Sequence, residues 1–324
     1  MGTREMIEKI VKERETDGGI KSVVWIAAGG SNGGNYPAQY FMDREAKGIR
    51  SQMFTSNEFV YAPPKFVGRD TIAVVTSMRG TPETCVAAKV AKDLGAATIA
   101  LYVQESALTE TCDYKVKYDS IMFDESDQSQ TNAALGMRIA MDIVDIVEGY
   151  EFYDDAMAAY DILDKVYNDA KAYCMPLAEK WAYQNKDEHI ISVLASGPAY
   201  AAGYIFSICN IMEMLQIQSP TINCCEFFHG PFEVTDYDVP FMLVKSIGHT
   251  RHLDERVENF AKKFTEDLLV LDQKDLDLST VADEAKPYVA AILTGVVIRH
   301  FVEAIAFERG HSLDVRRYMW QMQY

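Results

Sequence analysis

Two tandem α/β domains, each a parallel five-stranded sheet between layers of helices, are what the 324 residues predict. Three observations carry that expectation. Short β-rich runs alternate with helical stretches, the pattern of parallel strands joined by crossover helices. Several of those runs end in clusters of Gly, Ser and Thr from which a helix starts. The second half of the chain then repeats landmarks of the first in the same order.

The elements follow one another plainly. The N-terminal stretch MGTREMIEKIVKERETDGG spells an amphipathic helix. Residues 21–28 (KSVVWIAA) form a strand that runs into Gly29-Gly30-Ser31-Asn32-Gly33-Gly34, with a helix over about 36–47. A second strand at 53–55 meets Ser56-Asn57-Glu58-Phe59. A third, 71–76, meets Ser77-Met78-Arg79-Gly80-Thr81, and Pro82 stands where its fixed φ suits the first turn of a helix. That helix runs to about Leu94, a strand covers 97–102 and a helix covers 132–147. An acidic, tyrosine-rich helical stretch over 150–185 leads into the second series. There a strand ends in Ser196-Gly197, followed by Cys224-Cys225-Glu226-Phe227 and Ser246-Ile247-Gly248-His249-Thr250, then a helix over 251–264 and a strand over 267–271. The offsets between matching landmarks are 197−30=167, 226−58=168 and 246−77=169. A drift of two residues over three landmarks indicates a duplicated domain, the first spanning 1–150 and the second 151–324.

Composition narrows the class. With 48% hydrophobic and 24% charged residues the chain is an ordinary globular one. Its 31 basic against 48 acidic residues give −17, a charge that repels phosphate backbones and anionic leaflets, so neither nucleic acid nor a membrane is an expected partner. The N-terminus has no apolar signal region, and the one long uncharged run, 190–212, is broken by Ser196-Gly197-Pro198. Six cysteines lie scattered without CxxC spacing, which points to a reduced, soluble, cytoplasmic protein.

In open parallel sheets ligands sit beyond the carboxyl ends of the strands. The three loops there in the first half offer Ser31, Ser56, Ser77, Arg79 and Thr81, small hydroxyls and one cation that together suit a phosphate monoester. Nucleotide motifs fail: a dinucleotide fingerprint needs Gly where Ser31 stands, and a Walker loop needs Lys where Asn35 stands. His249 and His252 in HxxH spacing have no third ligand nearby, adjacent Cys224-Cys225 has no zinc spacing, and no metal is expected. The aromatic and methionine stripe over 150–181 reads as helix packing.

Two groups remain with chemistry to offer. Glu213 sits on an otherwise apolar helix (IFSICNIMEML), and Glu226-Phe227-Phe228-His229-Gly230-Pro231 follows the next strand. A carboxylate among apolar neighbours and a histidine make a proton-transfer pair near neutral pH. The other reading of the same residues is an ion-paired Glu213 and a hydrogen-bonded turn histidine, and both stay open at this point.

The paired Gly-Ser and Ser-x-x-Gly-Thr loops resemble the sugar isomerase (SIS) fold, and Glu213 set before EFFHGPFE resembles its amino-sugar branch, which includes the isomerase half of glucosamine-6-phosphate synthase. The ASG before the Glu helix, EFFHGPFE and the RRYMW…Y end are most similar to the fructosamine and fructose-asparagine 6-phosphate deglycase group, and the likeness spans essentially the whole chain. What the resemblance implies is a deglycase that hydrolyses a ketosamine 6-phosphate to glucose 6-phosphate and a free amino acid, without cofactor, as a homodimer. In that scheme His229 helps open the sugar ring and can reach the site from a neighbouring subunit. Glu213 takes a proton from C1 and returns one to C2, and Glu226 is the reserve for its role. The alternative within the same fold is a phosphosugar isomerase or an aminosugar-phosphate deaminase; a regulator is disfavoured, since no DNA-binding segment fits before residue 21. Departures from the synthase also matter. No cysteine follows Met1 and no glutaminase stretch precedes Gly29, which disfavours glutamine-dependent amination. The tail from Asp314 on carries no lysine, and the loop Ser77-Met78-Arg79-Gly80-Thr81 is one residue shorter than the deglycase pattern.

Overall fold

The computed structural model describes residues 1–121 and 126–323, so Tyr324 of the tail motif lies outside the described residues. The chain divides into two compact units, Met1–Asp161 and Ile162–Tyr324. The change-over lies past Tyr150 because Tyr160 is buried in the first unit, where its hydroxyl donates to the Ala134 carbonyl at 2.8 Å.

The first unit runs α1 (Thr3–Arg14), β1 (Ser22–Ala27), α2 (Gly29–Glu45), β2 (Arg50–Thr55), α3 (Ser56–Tyr61), β3 (Thr71–Thr76), α4 (Pro82–Asp93), β4 (Ala97–Tyr102), α5 (Ala107–Thr111), β5 (Tyr114–Lys117), α6 (Asn132–Glu148) and α7 (Tyr153–Ala158). Its sheet is parallel throughout, in the order β2-β1-β3-β4-β5. The central strands SVVWIA, TIAVVT and ATIALY are buried at every position, as strands covered on both faces must be, whereas the edge strand RSQMFT is mostly exposed or half-exposed. On one face Val24, Ile26 and Val75 pack with Phe59, Ala87 and Leu108 of α3, α4 and α5. On the other, α2 and α6 pack together, with Met6, Ile7 and Ile10 of α1 buried beside them.

The second unit runs α8 (Leu163–Asn185), β6 (Ser192–Ala195), α9 (Tyr200–Ile205), a π-helical continuation over Phe206–Met214, β7 (Thr221–Asn223), β8 (Phe241–Lys245), α10 (Arg251–Phe264), β9 (Leu268–Asp272) and α11 (Lys286–Arg309). Its parallel sheet has the order β7-β6-β8-β9. The sequence led us to expect five strands here; among the described residues there are four. After β9 the chain enters turns held by its own side chains: Asp272 Oδ1 accepts from Lys274 N at 2.9 Å, and Asp277 Oδ1 takes the Ser279 hydroxyl at 2.7 Å. Short polar side chains that satisfy the backbone locally compete with a further ladder, and Pro287 then opens α11. Helix α11 is long and apolar enough to cross a membrane, but 78% of its apolar window is buried inside the protein, packed on α8.

The duplication is clearer in the backbone than in the residues. Gly29 at φ +56 and Gly197 at φ +55 make the same left-handed turn after the first strand of each sheet, a conformation that glycine adopts without strain. The structural partner of Gly197 is therefore Gly29 rather than Gly30, and the first offset becomes 197−29=168.

Candidate active site

In the first unit, β2, β1 and β3 are neighbours, so the loops that leave their carboxyl ends gather Ser31, Ser56 and Ser77 at one edge of the sheet. This is where the strand order reverses, the place an open parallel sheet offers a ligand. Ser77 is buried, and its hydroxyl accepts from Gly80 N at 3.1 Å and Thr81 N at 2.9 Å while lying 3.1 Å from Thr81 Oγ1. The backbone N–H groups of Gly80 and Thr81 are thus engaged in shaping the turn. Ser56 is also buried, its hydroxyl 2.7 Å from that of Thr84 in the first turn of α4. Ser31, half-buried in the first turn of α2, bonds the Tyr118 hydroxyl, whose pKa burial pushes up to about 12. Arg79 and Thr81 are exposed at the rim. The expected residues therefore divide: Ser56 and Ser77 build the cradle, and Ser31, Arg79 and Thr81 are the accessible groups.

Gly80 is the pivot of this loop. Its φ of +75 disfavours any side chain, and a Cβ there would run into Ser106. Gly80→Ala is expected to lower stability by about 1–3 kcal/mol, measured as a shifted urea midpoint; an unshifted midpoint would mean that the turn is not held as described.

The second unit builds the same cradle and fills it. Ser246 follows β8 as Ser77 follows β3, and its hydroxyl accepts from Gly248 N at 3.0 Å. Here, however, the carboxylate of Asp254 on α10 lies where the three strand-end loops converge. Its Oδ1 is 2.5 Å from the Ser196 hydroxyl, its Oδ2 accepts from Ser246 N at 2.8 Å, and the Cys224 thiol bonds it as well. Asp254 is wholly buried, and that burial, opposed by these donors and by Arg251, raises its pKa. Cys224 matches Ser56 (224−56=168), and where Cys224 bonds Asp254, Ser56 bonds the neutral hydroxyl of Thr84. A protein anion takes up the donors of the second cradle, whereas neutral hydroxyls line the first.

Glu213 lies near the end of the π-helix Phe206–Met214, where Leu215 N reaches five residues back to Asn210 O at 3.1 Å. Such wide turns occur frequently at functional sites. The Glu213 side chain is 23% exposed, and Oε1 receives Arg316 Nε at 3.0 Å and Nη2 at 2.8 Å. The ion-pair alternative for Glu213 is thus realised, although by a tail residue that was not singled out for the site. His229 projects from the exposed turn after β7, its N–H donating to Glu226 O at 2.9 Å. Phe227 and Phe228 anchor that turn, packing edge-on against each other, against Phe232 and against Phe260 of α10. The aromatic residues of EFFHGPF are therefore core, while Glu226 and His229 are its exposed polar groups. Among the described residues no hydrogen bond joins Glu213 to His229 or Glu226, and no group of three or more His, Cys, Asp or Glu could hold a metal ion. Sequence reasoning missed Arg316 and Asp254. Aligning α4 and α10 at their first residues, Pro82 and Arg251, sets Asp254 opposite the neutral Cys85 and would have marked it as a charge without a counterpart.

No family model matches the chain. It is 36% identical over 307 residues to the fructosamine deglycase FrlB of Bacillus subtilis strain 168, covering 94% of this chain and 93% of that one. It is 29% identical over 142 residues to the fructoselysine 6-phosphate deglycase of Escherichia coli O157:H7, covering 44% of this chain and 38% of that one. Its fold is similar to a crystal structure of a provisionally named phosphosugar isomerase from Salmonella typhimurium LT2, with a TM-score of 0.95, 35% identity and 100% and 98% of the two chains covered. Likeness of that depth along nearly the full length of both chains shows that this chain belongs to the fructosamine deglycase family, on the two-sheet sugar isomerase fold.

Proposed function

We propose that this chain is an enzyme that cleaves a ketosamine 6-phosphate, an amino acid joined through nitrogen to C1 of a 6-phosphofructose unit, into glucose 6-phosphate and the free amino acid. The observation that carries this reading is the 36% identity to a fructosamine deglycase along 94% of the chain. The name of the second relative, a 6-phosphate deglycase, supports the phosphate. The geometry agrees in two respects. The first unit presents hydroxyls and Arg79 at its strand ends, and the Ser56 and Ser77 hydroxyls bond hydroxyl and backbone groups there, whereas Asp254 already satisfies the donors of the second. One phosphate per chain, held by Ser31, Arg79 and Thr81 in a turn shaped by Ser56 and Ser77, is the resulting stoichiometry.

The chemistry is proton transfer. The exposed imidazole of His229 assists ring opening. The Glu213 carboxylate removes a proton from C1, and the electron pair of that C–H bond moves to make the C1–C2 enaminol as the C2 carbonyl oxygen is protonated. Return of a proton to C2 leaves an imine at C1. Water adds to that imine and the carbinolamine collapses, breaking the C1–N bond and releasing the amine. No oxidant or reductant enters, because the ketone at C2 is reduced as C1 is oxidised. We further propose a cytoplasmic homodimer, with His229 shared between subunits; six free cysteines fit the reducing compartment.

The test is a coupled assay for glucose 6-phosphate released from synthetic asparagine, lysine, glutamine and aspartate ketosamine 6-phosphates, with glucosamine 6-phosphate and fructose 6-phosphate as controls. Release from an adduct is the expected result and identifies the amine. Turnover of a control with silence on every adduct would move the protein to the isomerase or deaminase alternative.

A further inference from the structure

We propose that Arg316 of the C-terminal tail is a positioning residue for Glu213: it fixes one carboxylate oxygen and leaves the other to move the proton. The inference rests on the deglycase reading above and deepens it.

Three contacts stitch the tail to the end of the π-helix. His311 Nε2 donates to the carbonyl of Met214 at 2.9 Å, Arg317 Nε donates to Gln216 Oε1 at 2.6 Å, and Arg316 takes Glu213 between them. Both Nε and Nη2 of Arg316 converge on Oε1, at 3.0 and 2.8 Å. The third nitrogen, Nη1, donates to the carbonyls of Leu313 at 2.6 Å and Val315 at 3.0 Å. The guanidinium is therefore held by the tail's own backbone before it meets the carboxylate, and its side chain is only 8% exposed. Trp320 covers it, with its ring centre 5.6 Å from the guanidinium carbon and its backbone at φ +61, an unusual conformation for an aromatic residue.

The asymmetry of the pair is the informative point. A structural ion pair between Arg and a carboxylate commonly engages both oxygens, one nitrogen to each, as Arg251 does with Asp272 at 2.7 Å on either oxygen. At Glu213 both donors share Oε1, and among the described residues Oε2 has no hydrogen-bond or ion-pair partner. A general base needs one oxygen with an open lone pair and an orientation that does not wander. Anchoring Oε1 supplies the orientation, and the open Oε2 supplies the base. The tail also brings a cation to a carboxylate on an otherwise apolar helix, where a charge without a partner is costly.

The experiment is steady-state kinetics of Arg316→Ala and Arg316→Lys on the ketosamine 6-phosphate that the full-length wild-type chain turns over fastest, with and without added guanidinium chloride. Arg316→Ala should lose about 100-fold in kcat with KM changed less than about threefold, the cost of a misplaced general base. Guanidinium at about 50 mM should restore about tenfold by occupying the vacated site, and Arg316→Lys, which keeps the charge but not the fork, should lie between. Raised KM with unchanged kcat would make the tail a cover only, and a kcat loss that guanidinium does not relieve would make it a structural strap; either overturns the proposal, as does unchanged activity. A substrate-free arm follows the Arg316 15Nε–H signal, which should be protected in the wild type and lost in Glu213→Ala. Wild-type silence on every adduct would sink the deglycase reading while this arm still decides the pairing, and a signal indifferent to Glu213→Ala would overturn the anchoring itself.

Discussion

Glu213→Gln should lose at least about 1000-fold in kcat for glucose 6-phosphate release while binding fructose 6-phosphate as well as the wild type does, because a positioned general base is worth 10²–10⁴-fold and in the proposed mechanism serves two proton transfers. Glutamine is nearly isosteric and keeps an oxygen to accept from Arg316 Nε and Nη2, so the tail contact at 2.8–3.0 Å can persist while the basic lone pair is gone. The substitution therefore separates chemistry from architecture. Calorimetric titration with fructose 6-phosphate would report the phosphate site in the first unit, and the coupled assay would report the base. Retained turnover in this variant would remove Glu213 from its role and pass it to Glu226, three residues before His229 in the same exposed turn. Glu226→Gln is the control, expected within about threefold of wild type, as an exposed carboxylate outside the reacting groups should be.

How far the sequence carried these conclusions differs from element to element. The strands TIAVVT and ATIALY were legible to the residue, since unbroken β-branched and apolar runs between turn residues have one reading in a parallel sheet. The edge strands were not: YKVK in β5 and TIN in β7 are short and part-polar, and what makes them strands is a neighbour to pair with. The helix under Glu213 was legible as a helix, but its wide π register was not. That register depends on how its residues pack, which no local pattern encodes. The turn that holds Ser77 and Thr81 was legible because hydroxyls and a Gly after a strand are a local signal, whereas Arg316 is 103 residues from Glu213 and pairs with it only through the fold. Ser56 was expected to offer its hydroxyl to an anion and instead spends it on Thr84, a contact that needs α3 and α4 side by side.

Asp254→Ala should destabilise the second unit by about 2–3 kcal/mol, because it leaves the Ser246 N–H buried without an acceptor. Part of the loss is recoverable, since the Ser196 hydroxyl can turn to Thr250 Oγ1, already 2.8 Å away. For a domain of this size that loss corresponds to a melting temperature lower by roughly 4–12 °C. The matching change in the first unit, Thr84→Ala, removes one neutral hydroxyl pair with Ser56 and should cost about 1 kcal/mol. The charge gives the second test. Burial raises the Asp254 pKa from its ordinary value of 3.8, so the folded chain keeps this proton to a higher pH than the unfolded chain does. Its contribution to stability is therefore fully present below 3.8 and is lost as the pH rises through the folded-state midpoint. Asp254→Asn, which cannot titrate, lacks that slope, so its urea midpoint should improve relative to the wild type as the pH is raised from about 4 to 7. A difference between the two proteins that stays constant over that range would show that the carboxylate titrates alike in both states, and the protein anion would then not be the desolvated occupant of the second cradle described here.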